Sequence, residues 1–574
     1  MKTIVLRLAS LAAIILYFSL AAHQLGLPGL YYDEALDLPP AVQLAHGWPV
    51  TLFPKDPGVN ILGYTFPVMV IDYVGAVNTY LMAALFLFTG GHWVAVRWFQ
   101  VAVGALIVAL SFRLARHWFG PLVAVIATLL LAVNPSFIFW SRMGISVTHL
   151  MALCSLGSLL LFTQYVSRFT LYALFCGGLL LGLGVWAKFL FVWWIAALGA
   201  VYVLFGFNHW RRGPWQSWLA VGAGALVGAA PLIYYNVQTS ETLTLLLNSL
   251  NNPTPNGVNN QNFLANFQAR LVQFRIWLDG SYFWYNGGLH ANEWALMIYG
   301  AALGVVLIFI VMGFRRGEAF GNGGSKNTKT ILPNASPLQR QRALALLVIL
   351  AIILVLSSFT VSGIWATHLF ILFPIPQMGV ALAAVWLTGL GKGEAFGKFR
   401  SQNSKTRLPN ASPLRGAVMV AAVILPLTLF VLDARVAFDY HADLARTGGP
   451  GRFSAAIYDF ANYLSQNNLH TPAALDWGLE KNTFVLTDGR VQPIEIFGYS
   501  PEPDEGFRER VLASLCDGCA FINVDAAYAV FPREAAFRQI VAEAGYRVAD
   551  DETMIFRERS GQPAFYIYRV RPAP

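Results

Sequence analysis

Charged residues are scarce in this 574-residue chain: Asp, Glu, Lys and Arg together make up 12% of it, against 56% hydrophobic residues. So little charge excludes an ordinary soluble protein and places the chain in a membrane. Cysteine is scarcer still, and four residues are too few for a disulfide scaffold. Several catalytic signatures are missing as well: there is no Walker motif, no GxGxxG following a strand, no HExxH and no Ser-His-Asp order. The formal net charge of +9 comes without a basic stripe or a nucleic-acid motif, which excludes nucleic acid as its explanation.

What the chain does have is apolar runs. A hydrocarbon core ~30 Å thick needs roughly 20 apolar residues per spanning helix, and such runs recur from Leu6 to about Leu432. The first follows Lys2 and Arg7, a pattern that a cleaved signal peptide shares; we read it as an uncleaved anchor with a cytoplasmic N-terminus. Further spans are expected over 93–114, 122–139, 147–162, 171–186, 189–207, 218–235, 294–314, 343–361, 369–390 and 417–432, giving about eleven helices. With that count the basic loops at Arg113 to His117, Arg168, Arg211 and Arg212, Arg315 to Arg342, and Lys392 to Arg415 all fall on the cytoplasmic side. The apolar stretch Tyr80 to Thr89 would reverse every later loop if it spanned, so it is expected to lie in the interface. The first outside loop then runs from about 24 to 92.

Beyond Arg435 the texture changes to mixed polar and apolar, which divides the chain into a transmembrane unit, 1–435, and a soluble extracytoplasmic α/β unit, 436–574. Within the second, "FSAAIYDFANYLSQNN" has helical spacing, whereas "TFVLTDG", "CAFINVDAAYAVF" and "FYIYRV" have strand texture. In an oxidising compartment Cys516 and Cys519 are expected to form a local disulfide in preference to a redox or metal pair. Cys154 and Cys176 read as core filler. A polar segment occurs twice, Gly317 to Leu338 and Gly393 to Leu414, identical at 16 of 22 positions. A copied linker in the cytoplasmic loops is the favoured reading over a docking element. The Asn-Ala-Ser triplets at Asn334 and Asn410 face the wrong side for glycosylation and are each followed by Pro.

The ordered series "YYDEALDLPPAVQLAHGWP", "YVGAVNTYLMAALFLFTGGHWVAVRWFQ", "NPSFIFWSR" and "GLGVWAKFLFVWW" resembles the GT-C membrane glycosyltransferases, closest to the protein O-mannosyltransferase and aminoarabinose-transferase-like group, glycosyltransferase family 39 in the broad sense. The likeness covers roughly the first 240 residues, and the later helices by architecture only. It implies an integral-membrane, inverting enzyme that moves a sugar from a polyprenyl-phosphate donor to a hydroxyl on a protein, lipid or glycan acceptor, at the outer face of a plasma (inner) membrane. Such a reaction needs a carboxylate to orient and deprotonate the hydroxyl and cations to stabilise the departing phosphate. Phosphate leaves readily, so the paired carboxylates of glycosidases are not required.

On that resemblance Asp33 is the expected base and Glu34 its neighbour or alternate, although Asp suits a helix cap equally well. Arg97, Arg142 and Lys188 are expected near the donor phosphate, against a simple snorkelling role for each. Lys188 interrupts an apolar run and is the strongest of the three. Lys55 and Asp56 are expected to line the site, and His368 to offer a polar contact there. Thr148 and His149 stand where relatives often carry an acidic residue after the Ser-Arg pair. A divalent metal is compatible with carboxylates in the first loop, but no ligand spacing specifies one. A lipid-linked sugar transporter or flippase, or a catalytically inactive scaffold, are the other readings. Charges gathered at helix ends and the lack of a two-half helix repeat count against transport.

Overall fold

The computed structural model describes residues 2–168, 170–206, 214–254, 257–314, 336–391 and 413–574. Both copies of the repeated polar segment, at 317–335 and 393–412, lie almost wholly outside the described residues, as do Asn334 and Asn410.

The fold is mostly helical, with a sheet-containing C-terminal region. Among the described residues seven helices are long and apolar enough to cross a membrane, and up to nine when each of two bent pairs counts as one span. The protein is a multi-pass membrane protein. The expected run 122–139 is one bent pair, Pro121–Val133 and Pro135–Ser141, which turn 61° at the break. Pro135 cannot continue the first helix, and the Asn134 side chain caps the second by accepting from the Phe137 amide at 3.1 Å. Ala366–Leu372 and Ile375–Gly389 form the other pair, bent 51°.

The count of about eleven included 147–162 and 171–186 as spans. The helices that carry them, Ser146–Arg168 and Leu171–Ala187, run for 23 and 17 residues, within the roughly 17–25 residues of a spanning helix, although their apolar stretches are shorter than those of the seven. Leu171–Ala187 packs tightly on Trp215–Thr239. Gly178 and Gly182 face Gly224 and Gly228, where an added Cβ would lie 2.1 to 2.4 Å from a carbonyl oxygen of the opposing helix. This is the small-xxx-small contact that lets backbones touch where no hydrophobic effect drives association.

Tyr80 to Thr89 belongs to a 13-residue helix, Val77–Thr89, about 20 Å long and unable to span. Its Met82 and Phe86 bury against Leu38, Ala41 and Val42 of the helix Leu38–His46, while Leu87 and Phe88 stay exposed. Two short hairpins, Val59–Ile61 with Tyr64–Phe66 and Met69–Ile71 with Val74–Gly75, complete the first loop.

The last membrane helix does not stop near 432. Pro413–Thr447 runs on for 35 residues and leads into a sheet of order Ile494–Glu495, Ala473–Ala474, Ala520–Val524, Pro563–Pro572, Tyr546–Val548, with Met554–Arg557 also paired to Pro563–Pro572. The first three strands are mutually parallel and the last long strand is antiparallel to them. Ala456–Gln466 covers one face through Ile457, Phe460 and Leu464, and Phe507–Ala513 and Glu534–Glu543 cover the other through Phe507, Val511, Phe537 and Val541. "TFVLTDG" is a helix, Glu480–Leu486, rather than a strand. Its Phe484 and Val485 are buried against Leu30 and Leu38 of the first loop, a contact no local pattern encodes. Cys516 and Cys519 form a disulfide.

Candidate active site

The first loop is pinned from both sides. Gly29 donates its amide to the Phe453 carbonyl at 2.7 Å, and a Cβ there would sit 2.1 Å from the Ser454 carbonyl oxygen, so only glycine permits the approach. Tyr31 stacks on Phe453 at 4.2 Å, and Tyr32 lies against Trp477 at 4.5 Å. Phe453, Ser454 and Trp477 of the C-terminal region therefore help to hold the acidic stretch in place.

Within that stretch, neighbours point in opposite directions. Glu34 is wholly buried and accepts from Arg97 Nε at 2.9 Å and Nη2 at 2.7 Å, and from the Gly144 amide at 2.8 Å. Arg97 spends its other N–H groups on the carbonyls of Leu25, Pro28 and Gly29 at 2.8 to 3.2 Å. All five guanidinium donors are used. The two residues expected as alternate base and phosphate cation are thus partners of one another, and Arg97 has no donor left for a lipid phosphate.

Asp33 faces a cavity of about 230 Å³ that it shares with Asp37, Tyr73, Lys188 and His368. Its side chain is reachable by solvent yet enclosed by protein. That enclosure lifts its pKa to about 6, against the lowering influence of Lys188 and Arg452 and with a smaller raising effect of Glu34. Lys188 reaches the cavity because its turn is tied to the first loop: the Phe189 amide donates to the Tyr73 carbonyl at 3.0 Å, and Trp186 Nε1 to the Val68 carbonyl at 3.0 Å. His368 enters from the bent pair, with Nδ1 buried and without a hydrogen-bond partner among the described residues. Thr148 also lines the cavity and accepts from Trp140 Nε1 at 2.8 Å. His149 turns away, its Nδ1 against the Ile145 carbonyl at 3.1 Å.

Arg142 is buried beside the same loop without lining this cavity, donating to the carbonyls of Gln24 at 2.5 Å and Leu27 at 3.2 Å and meeting His441 Nδ1 at 3.4 Å. Lys55 and Asp56 also stand apart. Lys55 is half exposed and bridges Glu241 at 2.9 Å and Asp72 at 3.4 Å. Asp56 is buried and accepts the backbone amides of Gly58, Val68 and Met69, which fixes the hairpins. Both shape the loop rather than the cavity.

Two groups escaped the sequence. Asp37 lies four residues after Asp33, in the turn that precedes the helix Leu38–His46, and lines the same cavity. Burial lifts its pKa to about 6 against the hydrogen bond from Asn78 Nδ2 at 2.7 Å. Its nearness in sequence to Asp33 was the available signal. Arg452 acts on Asp33 from the far end of the chain, and no local pattern could have found it. No group of three His, Cys, Asp or Glu residues able to hold a metal occurs among the described residues. Asp33 and Asp37 alone do not make a divalent-cation site, so no step is routed through one.

Residues 75–235 match the family model described as dolichyl-phosphate-mannose-protein mannosyltransferase. The crystal structure of ArnT from Cupriavidus metallidurans bound to undecaprenyl phosphate is similar over 99% of this chain and 98% of that one, with a TM-score of 0.52 at 12% identity. This chain has the GT-C fold. The apo form of the same ArnT scores 0.48 at 13% identity, over 99% of this chain and 98% of that one. The archaeal oligosaccharyltransferase AglB from Archaeoglobus fulgidus, in complex with an inhibitory peptide and a dolichol-phosphate, scores 0.48 at 14% identity, over 91% of this chain and 70% of that one. No curated protein matches. The matched segment carries Arg97, Arg142 and Lys188, whereas Asp33, Glu34, Asp37 and His368 lie outside it.

Proposed function

We propose that this chain is an inverting glycosyltransferase that moves a sugar from a polyprenyl-phosphate donor to a hydroxyl acceptor on the extracytoplasmic side of a plasma membrane. The observation that carries the reading is that Asp33 and Lys188 line one cavity, close enough for the Lys188 charge to favour the Asp33 carboxylate. The ArnT structure of like fold is bound to undecaprenyl phosphate, which supports the same class of donor here.

In the proposed reaction the acceptor oxygen attacks the anomeric carbon on the face opposite the phosphate. Its O–H bond breaks toward Asp33, which takes the proton as general base. The bond from the anomeric carbon to the phosphate oxygen breaks, and its electron pair leaves with the polyprenyl phosphate. Lys188 stabilises that growing negative charge, with Arg452 and Arg142 as more distant cations. Glu34 and Arg97 act by positioning: they fix the backbone on which Asp33 stands. His368 lines the same space and is assigned to substrate contact.

In this reading residues 1–435 form the transferase unit, with a cytoplasmic N-terminus, and 436–574 an extracytoplasmic unit that closes over the first loop. The test is turnover of radiolabelled polyprenyl-phosphate sugars by the full chain in lipid nanodiscs, with membrane extract supplying acceptors. Transfer that is lost in Asp33→Asn, in protein with an unchanged melting temperature, supports the reading. Absence of donor consumption across the panel by the unaltered protein overturns it.

A further inference from the structure

A second cavity, of about 460 Å³, lies between the first loop and the C-terminal region. It meets the Asp33 cavity along a common wall, Leu36, Val70 and Ile71, which line both. The chain passes directly from one to the other: Tyr32 lines the second and Asp33 the first. Its volume falls within the ~300–1,000 Å³ of small-molecule sites.

The outer wall comes from residues far along the chain. Glu495 accepts from the Tyr32 hydroxyl at 3.3 Å through Oε1 and from the Tyr499 hydroxyl at 2.6 Å through Oε2. Each oxygen keeps a lone pair for another donor. Lys481 pairs with Glu480 at 2.8 Å, and Gln492 supplies an exposed amide. Glu480, Lys481 and Glu495 are the charged groups of this lining, two carboxylates against one ammonium, and no arginine is present. Phe53 and Phe484 add ring surface.

We infer that this cavity is the acceptor subsite, and that it takes a neutral or amine-bearing carbohydrate rather than a phosphorylated one. The inference rests on the transferase reading. Oriented carboxylates, an amide and phenolic hydroxyls match a polyol, whose hydroxyls both donate and accept, and aromatic rings suit the apolar faces of sugar rings. The excess of carboxylate repels a phosphate and would leave it without a bidentate partner. A peptide added as a strand would call for an exposed strand edge. The sheet edge here, Ile494–Glu495, is two residues long.

The test is saturation-transfer NMR with the full chain in nanodiscs, using mannotriose, maltotriose and chitosan trimer, phosphorylated hexoses and a Ser/Thr-rich peptide as probes. A trimer is expected to bind, with affinity falling at least tenfold in both Glu495→Gln and Tyr499→Ala. Arg571→Ala, in an exposed ion pair with Glu552, is the control expected to change nothing. Binding of no trimer, binding indifferent to both substitutions, or preference for the phosphorylated sugars or the peptide overturns the inference. Thermal melting of each variant separates lost binding from lost folding, and Tyr499, largely exposed, should be replaceable without unfolding. Undecaprenyl phosphate binding and Asp33-dependent donor consumption are measured on the same preparation. If they persist while the trimers fail, the acceptor inference falls alone; if they are absent, the transferase reading falls.

Discussion

Glu34 and Arg97, 63 residues apart, form a doubly hydrogen-bonded ion pair from which solvent is excluded, with side chains 0% and 1% exposed. Its immediate neighbour Asp33 faces the cavity. One carboxylate of the adjacent pair is thereby committed to architecture and the other is left for chemistry.

That division predicts opposite phenotypes. Removing one member of a buried ion pair strands the other, at about 3–5 kcal/mol. Arg97→Met and Glu34→Gln should each lower the melting temperature sharply in detergent, and the double variant should cost much less than the sum of the two. Asp33→Asn should melt close to the unaltered protein. A melt of Arg97→Met within a degree of the unaltered protein would refute the structural assignment.

The base role proposed for Asp33 requires an ionised carboxylate. With its pKa raised to about 6, the rate should rise as pH climbs through about 6 and level off above 7. The profile is read from initial rates at saturating donor. Asp33→Asn should lose about 10²–10⁴ in turnover and the pH step with it.

Lys188 lowers the pKa of Asp33. Its removal in Lys188→Met should therefore shift the midpoint of the pH profile above 6 while reducing kcat, because the departing phosphate loses its nearest cation. Lys188→Arg should restore the midpoint in part. A lowered rate with an unmoved midpoint would show that Lys188 does not face Asp33.

Lys55 and Asp56, adjacent in sequence, should differ. Lys55→Ala breaks half-exposed ion pairs and should cost under about 1 kcal/mol, with turnover unchanged. Asp56→Ala frees three backbone amides and should destabilise by several times more, since each unmet buried donor costs about 1–3 kcal/mol. Denaturation midpoints of the two variants decide it.

The apolar runs alone determined that the chain is a multi-pass membrane protein, because a hydrocarbon slab sets a minimum run length that one-dimensional sequence records directly. The same holds for the amphipathic helix Ala456–Gln466 and the strand around Phe565 to Val570, whose periodicities are local. The order of motifs around Asp33 and Lys188 was legible through family resemblance. Tertiary structure alone decided which charges are spent. The sequence favoured Lys188 for interrupting an apolar run, but it could not show that all five donors of Arg97 are satisfied, because its side-chain partners are set by contacts 63 or more residues away. Likewise Phe484 and Val485 read as strand but form a helix, since burial against Leu30 and Leu38 outweighs their weak β preference. Arg452 and the Glu495 cavity wall come from residues that approach Asp33 only because the long helix Pro413–Thr447 carries the chain back to the first loop.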